Sequence, residues 1–420
     1  MLSKLAPIQI ECKNYVHPWT ESCLEATMGA YIQAIIFAFK IYGSVHLLAL
    51  LMKGIPPRKD DIKKTLIGIF QSSAFLSGNT FGYSLFLCIF RRVLGNFNIL
   101  TASFVPSFLA SIFAILIEKP SRRTLLALYL SNIATETVWN MLVSRKTVQP
   151  IRFGEVAIFA GSISVLLTIF RSGLHLIKNE KHIDPLFKVL RLIIGKDEET
   201  IKKTKKLCPH RFSCLNYILK GTSKIFLIGL SIQLGIKLVL NAKILVKTPT
   251  KFFLESIFRL NSIKLATFLA GTCGIFRAAS CFLRKITGED HFMYAIPAGL
   301  LAGIAFTQYP KKTIALYVLW KTLHIVYNLG IDHNLVPEIP GFNMILYSLS
   351  VAILFHTAMF EPQNLRLSYW KFLYNGSAGR IACMDRSAFE PWGFGTLEGL
   401  AETIAKAKTP KVIQFTGIKW

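Results

Sequence analysis

Acidic residues are scarce in this chain of 420 residues. Asp and Glu together number 23, whereas Lys and Arg number 49, which gives a formal net charge of +26. Charged residues of both signs make up only 17% of the chain, against about 25% in an ordinary soluble domain. The basic residues are scattered between long apolar runs, so they do not form the hydrophilic basic surface of a soluble nucleic-acid binder. A hydrophobic content of 52% also excludes a disordered chain.

The sequence lacks the motifs of the common nucleotide-dependent and metal-dependent enzymes. It contains no P-loop, no Gly-x-Gly-x-x-Gly and no His-Glu-x-x-His. Its eight cysteines are too dispersed for a secreted disulfide scaffold. The first 26 residues also lack the apolar core and cleavage site of a secretory signal. We therefore expect neither an enzyme nor a bound cofactor.

Long apolar segments are the main positive feature of the sequence. A membrane-spanning helix needs about 20 mostly apolar residues, and ten segments approach or exceed that requirement. Because only helices and closed barrels satisfy their backbone groups within lipid, these segments predict an all-α, polytopic membrane protein. The ten candidate segments are 27–52, 65–90, 93–117, 124–144, 156–170, 225–246, 263–283, 292–310, 313–331 and 339–360.

The ten segments form two duplicated halves of about five apolar helices each. The repeat has a period near 190 residues, and its aligned pairs follow the same order in both halves. Cys88 aligns with Cys281, for example, and Asn140 aligns with Asn328. If all five segments of each half span the membrane, the halves are inverted, and if one is re-entrant, they are parallel. The sequence leaves both arrangements open.

Composition divides the chain into five regions. Residues 1–26 form an N-terminal Cys/His-containing segment, and residues 27–171 form the first membrane repeat. Residues 172–224 are a basic linker with a second Cys/His segment, and residues 225–360 form the second membrane repeat. Residues 361–420 are soluble in character, and their tryptophans suit the membrane–water interface.

Small residues recur four positions apart in matched segments of the two halves. Ser107 and Ser111 form such a pair in the first half, and Gly299 and Gly303 form one in the second. Small side chains on one face of a helix let neighbouring backbones approach closely in a membrane. We therefore expect helix packing at these positions.

Four ionisable residues lie inside apolar segments, where an exposed charge is costly. A carboxylate at the bilayer centre costs on the order of 3 kcal/mol, so Glu136 should face a partner or water. His324 occupies the matching position in the second half, and Arg277 and Lys321 lie in other apolar segments. One hypothesis is a polar intramembrane site between the halves, with Glu136 beside Arg277 or Lys321. The alternative is a set of structural ion pairs or side chains that reach the interface.

Cysteine and histidine recur loosely in the N-terminal segment and in the linker. Four thiols and two imidazoles of these segments would provide a zinc site if the segments met. Their spacings match no standard zinc finger, and disulfides or packing at helix starts explain them equally well. We therefore expect no metal, although these residues remain candidates. They are Cys12, His17, Cys23, Cys208, His210 and Cys214.

Several short segments follow one another in a specific order over residues 8–375. They are 12–23, which includes His17-Pro18-Trp19, then 117–123, 134–137, 154–156, 280–284, 298–304 and 368–373. In this order they resemble the transmembrane protein 135 family, also called peroxisomal membrane protein 52. The resemblance implies a multi-pass protein of peroxisomal and mitochondrial membranes that acts in mitochondrial fission and in intracellular lipid or sterol handling. It implies no catalytic residues.

Three functional classes therefore stand after the sequence analysis. The first is the non-enzymatic role in organelle dynamics and lipid metabolism that the resemblance implies. Its partners would be membrane lipids, anionic lipids among them, and organelle-division proteins, but not nucleic acids. The second is a transporter or channel with a polar site between the repeats. The third is a membrane scaffold that recruits fission machinery.

Overall fold

The structure, a computed structural model, describes residues 6–51, 58–174, 185–195, 208, 210, 213–240 and 263–413. Within these ranges the regular secondary structure is helical, and two residues, Ile8 and Phe97, form an isolated backbone bridge. The predicted all-α fold is confirmed.

Fifteen α-helices account for most of the described residues. They are α1 (Cys12–Tyr15), α2 (Cys23–Leu51), α3 (Lys59–Leu94), α4 (Val105–Ile117), α5 (Pro120–Ser144), α6 (Gly154–Ser172), α7 (Pro185–Ile194), α8 (Cys214–Leu240), α9 (Lys264–Thr287), α10 (Ala295–Gly303), α11 (Lys312–Asp332), α12 (Phe342–Phe360), α13 (Leu367–Gly376), α14 (Arg380–Cys383) and α15 (Thr396–Ala407). A π-helical turn, Leu100–Phe104, leads directly into α4.

Seven helical stretches in the described part of the chain are long and apolar enough to cross a membrane. They comprise α2, α3, α4 with its π-helical turn, α6, α9, α11 and α12. The predicted segment at 292–310 forms a shorter apolar helix, Phe292–Gln308, and α5 and α8 cover the segments at 124–144 and 225–240. Residues 241–246 of the predicted sixth segment lie outside the described residues. The chain is therefore a membrane protein with multiple apolar helices.

The chain divides into two compact units. Unit 1 comprises Met1–Gln149 and Ile339–Trp420, and unit 2 comprises Pro150–Glu338. Unit 1 therefore contains α1–α5 and α12–α15, whereas unit 2 contains α6–α11. This division follows packing, whereas the five regions predicted from the sequence follow composition along the chain.

The fifth helix of each repeat packs among helices of the other repeat. In unit 1, α12 belongs to the second repeat and packs against α4 and α5 of the first. In unit 2, α6 belongs to the first repeat and packs against α10 and α11 of the second. Of the helices that belong to the two membrane repeats, each unit thus contains four from one repeat and one from the other.

Close packing of α6 on α10 depends on small residues. A Cβ atom at Gly299 would lie 2.6 Å from the Ser164 Cα, and one at Gly303 would lie 2.3 Å from the Ala160 Cβ. Ser164 also donates a hydrogen bond from its hydroxyl to the Ile296 carbonyl at 2.9 Å. In unit 1, Ser107 and Ser111 are fully buried on α4, and each hydroxyl bonds the carbonyl four residues earlier.

The segment after α12 is part of the core of unit 1. Trp370 is fully buried and donates a hydrogen bond from its indole nitrogen to the Thr409 hydroxyl at 3.0 Å. Trp392 is also buried and donates to the Ala6 carbonyl at 3.1 Å. These two tryptophans, for which the sequence suggested an interfacial position, therefore belong to the folded interior. Trp420 lies outside the described residues.

Candidate functional site

Unit 1 encloses an apolar cavity of about 430 Å³. Helices α2, α3, α5, α12 and α13 form its walls. The lining is dominated by aliphatic and aromatic side chains, among them Ala30, Ala34, Phe37, Phe75, Leu76, Leu87, Leu126, Val351, Phe355 and Phe372. A volume in the range of about 300–1,000 Å³ with few polar groups is typical of a site for an apolar small molecule.

A buried arginine and a buried asparagine are the strongest polar features of this cavity. Arg380 is only 8% exposed and donates from Nη1 to the Ser377 carbonyl at 3.3 Å. Its Nε and the Asn79 Oδ1 are buried without a hydrogen-bond partner among the described residues. Burial lowers the pKa of Arg380, as expected when a cation loses its hydration. An anionic or hydroxyl-bearing ligand would supply the missing partners.

A first cluster of three cysteines and one histidine borders this cavity. Cys12 begins α1, Cys23 begins α2 and Cys88 lies on α3, while His17 occupies the turn between α1 and α2. The four ligand atoms lie within 4.8 Å of one another. We call this set cluster 1.

Hydrogen bonds orient the histidine of cluster 1. The Nδ1 atom of His17 lies 2.9 Å from the Thr20 carbonyl, which can only accept, so Nδ1 carries the proton. In the neutral ring the lone pair is then on Nε2, which lies 3.3 Å from the Cys23 sulfur. This arrangement of a fixed tautomer is the one that metal-binding histidines use.

The electrostatics of cluster 1 favour a thiolate at Cys12. A hydrogen bond from Cys88 is the main cause that lowers the pKa of Cys12 to about 5, although burial opposes it. Desolvation lowers the pKa of His17, but hydrogen bonds that involve Cys12, Thr20 and Cys23 outweigh it and raise that pKa to about 9. The thiolate is the form of cysteine that binds metal ions.

A second cluster of the same composition lies in unit 2, and we call it cluster 2. It consists of Cys208, His210, Cys214 at the start of α8, and Cys281 on α9. Its ligand atoms also lie within 4.8 Å of one another, and the Cys281 sulfur faces the His210 Nε2 at 3.6 Å. The His210 ring stacks on Tyr217 with centroids 4.6 Å apart.

Glu136 forms a buried ion pair with Arg366 inside unit 1. Both side chains are less than one-fifth exposed. Two further polar residues follow Glu136 on α5 at four-residue intervals, and both bond Asn364. Asn140 donates to the Asn364 carbonyl at 3.1 Å, and the Ser144 hydroxyl accepts from the Asn364 side chain at 3.0 Å. The polar stripe of α5 therefore holds the turn that follows α12.

Arg277 binds the end of the amphipathic helix α7 in unit 2. Its Nε donates to the Ile193 carbonyl at 2.9 Å, and its Nη2 donates to the Leu192 carbonyl at 3.3 Å. The guanidinium also lies 4.3 Å from the centre of the Tyr217 ring. A cation stabilises the C-terminal end of a helix, where carbonyls are left without partners. The structure therefore gives Arg277 a structural role.

The remaining candidates of the intramembrane polar site lie on α11. Lys321 and His324 are both half-buried there, three positions apart. Glu136 pairs with Arg366, whereas the sequence suggested Arg277 or Lys321 as its partner.

Residues 9–143 match the N-terminal cysteine-rich region of Transmembrane protein 135. The matched residues include all four members of cluster 1. The resemblance to the transmembrane protein 135 family is confirmed. Cluster 1 thus lies within the part of the chain that matches this cysteine-rich region, and cluster 2 has the same composition in the second half. No solved structure matches the chain.

Sequence reasoning missed one member of each cluster. Cys88 and Cys281 lie in apolar helices, where a free thiol usually behaves as a small hydrophobe. Their alignment in the repeat was the available signal, because it pairs them just as the Cys/His segments are paired. The contribution of Arg380 was also missed, since its place in the tail gave no reason to connect it with α2 and α3.

Proposed function

We propose that this protein binds a lipid in the cavity of unit 1 and acts, without catalysis, in intracellular lipid or sterol handling. The observation that carries the proposal is an apolar cavity with Arg380 in its wall. The family resemblance supports the same role, because it implies lipid handling together with mitochondrial fission in peroxisomal and mitochondrial membranes.

The cavity suits an apolar chain or ring system. Burial of apolar surface stabilises a complex by roughly 25 cal/mol per Å², so a ligand that fills the cavity gains most of its affinity from the walls. A small polar metabolite would gain little there, because few wall groups could replace its hydrogen bonds to water.

The polar end of the ligand is expected at Arg380 and Asn79. A carboxylate or phosphate would accept from the free Nε of Arg380, which makes a charge-assisted hydrogen bond. A hydroxyl, as in a sterol, would donate to the Asn79 Oδ1. The positive charge of Arg380 favours a lipid with one anionic head group.

Transport is a second candidate, since a bound lipid can also be carried. The duplication supports it, because transporters are often built from repeats. Recruitment of organelle-division proteins through a free tail has less support, because residues 361–413 contribute to the core of unit 1.

Lipid labelling of the full chain in phosphatidylcholine vesicles tests the proposal. We would use two photoreactive probes, a fatty acid and a sterol, and map the labelled peptides by mass spectrometry. We expect labels on α2, α3 and α13. Ala34→Phe, which fills the cavity, should reduce labelling by both probes about tenfold, a change of about 1.4 kcal/mol in binding.

Arg380→Gln distinguishes the head group, because it should reduce labelling by the fatty acid but not by the sterol. Gly161→Ala in unit 2 is the control, since an added Cβ meets no atom within 4 Å. Equal labelling of Ala34→Phe and the unchanged protein would contradict the proposal. Transfer of the fatty acid between vesicles that is lost in Ala34→Phe would extend the function to transport.

A further inference from the structure

Clusters 1 and 2 have the composition of structural zinc sites. Three thiolates and one imidazole form one of the standard four-coordinate ligand sets for Zn²⁺. In a tetrahedral site with Zn–S bonds of about 2.3 Å, neighbouring sulfurs lie about 3.8 Å apart. The ligand atoms of each cluster lie within 4.8 Å of one another, so small side-chain adjustments would bring them onto one ion.

The same geometry occurs twice, at equivalent places in the repeat. In each unit one cysteine begins the first helix of the repeat, Cys23 on α2 and Cys214 on α8. Another cysteine lies on the second helix, six residues before its end, Cys88 on α3 and Cys281 on α9. Packing at a helix start would not require the same four ligand types at both places.

The cysteines of both clusters are not joined in disulfides. None of the eight cysteines of the chain forms a disulfide, and six of them belong to the two clusters. Most of the thiols thus lie in two groups, and each group also contains one histidine. Groups of this kind are typical of metal-binding sites. In both sets Nε2 is the histidine nitrogen that faces a sulfur.

We propose that each cluster binds one Zn²⁺, so that the chain carries two structural zinc ions. Each ion would fasten the start of the first helix of a repeat to the end of the second helix. Both sites have four protein ligands, which leaves no open position for catalysis. His17 and Cys88 also line the cavity of unit 1, so the first ion would fix that part of its wall. The proposal does not depend on lipid binding.

Metal analysis of the full chain tests the proposal. The protein would be purified under reducing conditions with a tag that contains no histidine, and zinc would be measured by mass spectrometry of the elements. We expect two zinc ions per chain. Cys88→Ser and Cys281→Ser should each reduce the content to one, and the double variant should reduce it to none. Cys383→Ser, outside both clusters, should retain two.

Cobalt provides a measurement that does not depend on variants. The unchanged protein, depleted of zinc and loaded with Co²⁺, should show the thiolate-to-metal absorption and the visible bands of a tetrahedral site. A mercurial reagent should release two zinc ions from the native chain even if a serine variant fails to fold.

Three results would overturn the proposal. The first is less than half a zinc ion per folded, monodisperse chain together with no tetrahedral Co²⁺ spectrum. The second is disulfide-linked Cys12 and Cys23, or Cys208 and Cys214, in the unreduced native protein. The third is iron in place of zinc at the same ligands.

Discussion

At the scale of single residues, Asp290 shows how unit 2 accommodates buried cations. Arg171, in the last turn of α6, and Arg284, in the last turn of α9, are both buried and pair with the Asp290 carboxylate. The Arg284 Nε lies 2.8 Å from that carboxylate. One acid thereby connects the ends of two helices that come from different repeats.

Asp290→Asn should destabilise the protein strongly. Removal of one partner from a buried ion pair typically costs about 3–5 kcal/mol, because the remaining charge stays in a poor solvent. We expect a lower melting temperature in detergent micelles. Glu289→Gln is the matched control, because Glu289 is the exposed neighbour in the same loop, and it should melt like the unchanged protein. Equal melting temperatures for Asp290→Asn and Glu289→Gln would contradict the structural role of Asp290.

The pH dependence of that contribution follows from the shifted carboxyl group. Burial raises the pKa of Asp290, but Arg171 and Arg284 outweigh burial and lower it. A carboxyl group with a lowered folded-state pKa stabilises the protein above its unfolded-state pKa and loses that contribution as pH falls through the folded-state value. The difference in melting temperature between Asp290→Asn and the unchanged protein should therefore stay constant between about pH 5 and 8. It should shrink only in stronger acid.

At the scale of helices, the contact between α6 and α10 has almost no room for an added atom. Gly303 faces the backbone of α6, which cannot move away as a flexible side chain can. Gly303→Ala should therefore destabilise the protein by about 1–3 kcal/mol, although alanine is the better helix former by about 1 kcal/mol.

Gly161→Ala on α6 separates these two effects. An added Cβ there meets nothing within 4 Å, so only the gain in helix propensity remains. We would measure the melting temperatures of the two variants in the same detergent. The melting temperature should fall for Gly303→Ala, and it should stay the same or rise for Gly161→Ala. A higher melting temperature for both variants would contradict the prediction, because it would mean that α6 and α10 can move apart at little cost.

At the scale of the whole molecule, the exchanged fifth helices make the repeats depend on each other. In the first repeat alone, α6 would have neither α10 nor α11 to pack against. Helices α4 and α5 would likewise be without α12, which covers them in the complete chain. Each isolated repeat would therefore expose faces that are buried in the complete chain.

Splitting the chain within residues 196–207 tests this dependence. Each part expressed alone should aggregate or be degraded, whereas the two parts expressed together should purify as one complex. Size-exclusion chromatography in detergent distinguishes these outcomes. Two parts that are each monodisperse alone would show that a repeat folds without the exchanged helix.

The sequence by itself determined the fold class, the membrane character and the duplication. Apolar length decides whether a segment is a helix in lipid, because every backbone group must be satisfied within the segment. The spacing of small residues on α4 and α10 likewise follows from local sequence. Apart from the duplication, which is a match between distant segments, these properties depend on residues close together along the chain.

Only the tertiary structure decided which helices share a unit and which residues share a site. Glu136 meets Arg366 and Cys12 meets Cys88, pairs that are far apart in the sequence. The two copies of a duplicated helix have similar apolar faces. Composition alone therefore does not determine which helices each copy packs against. That choice depends on the detailed fit of side chains, as at Gly303 against Ala160.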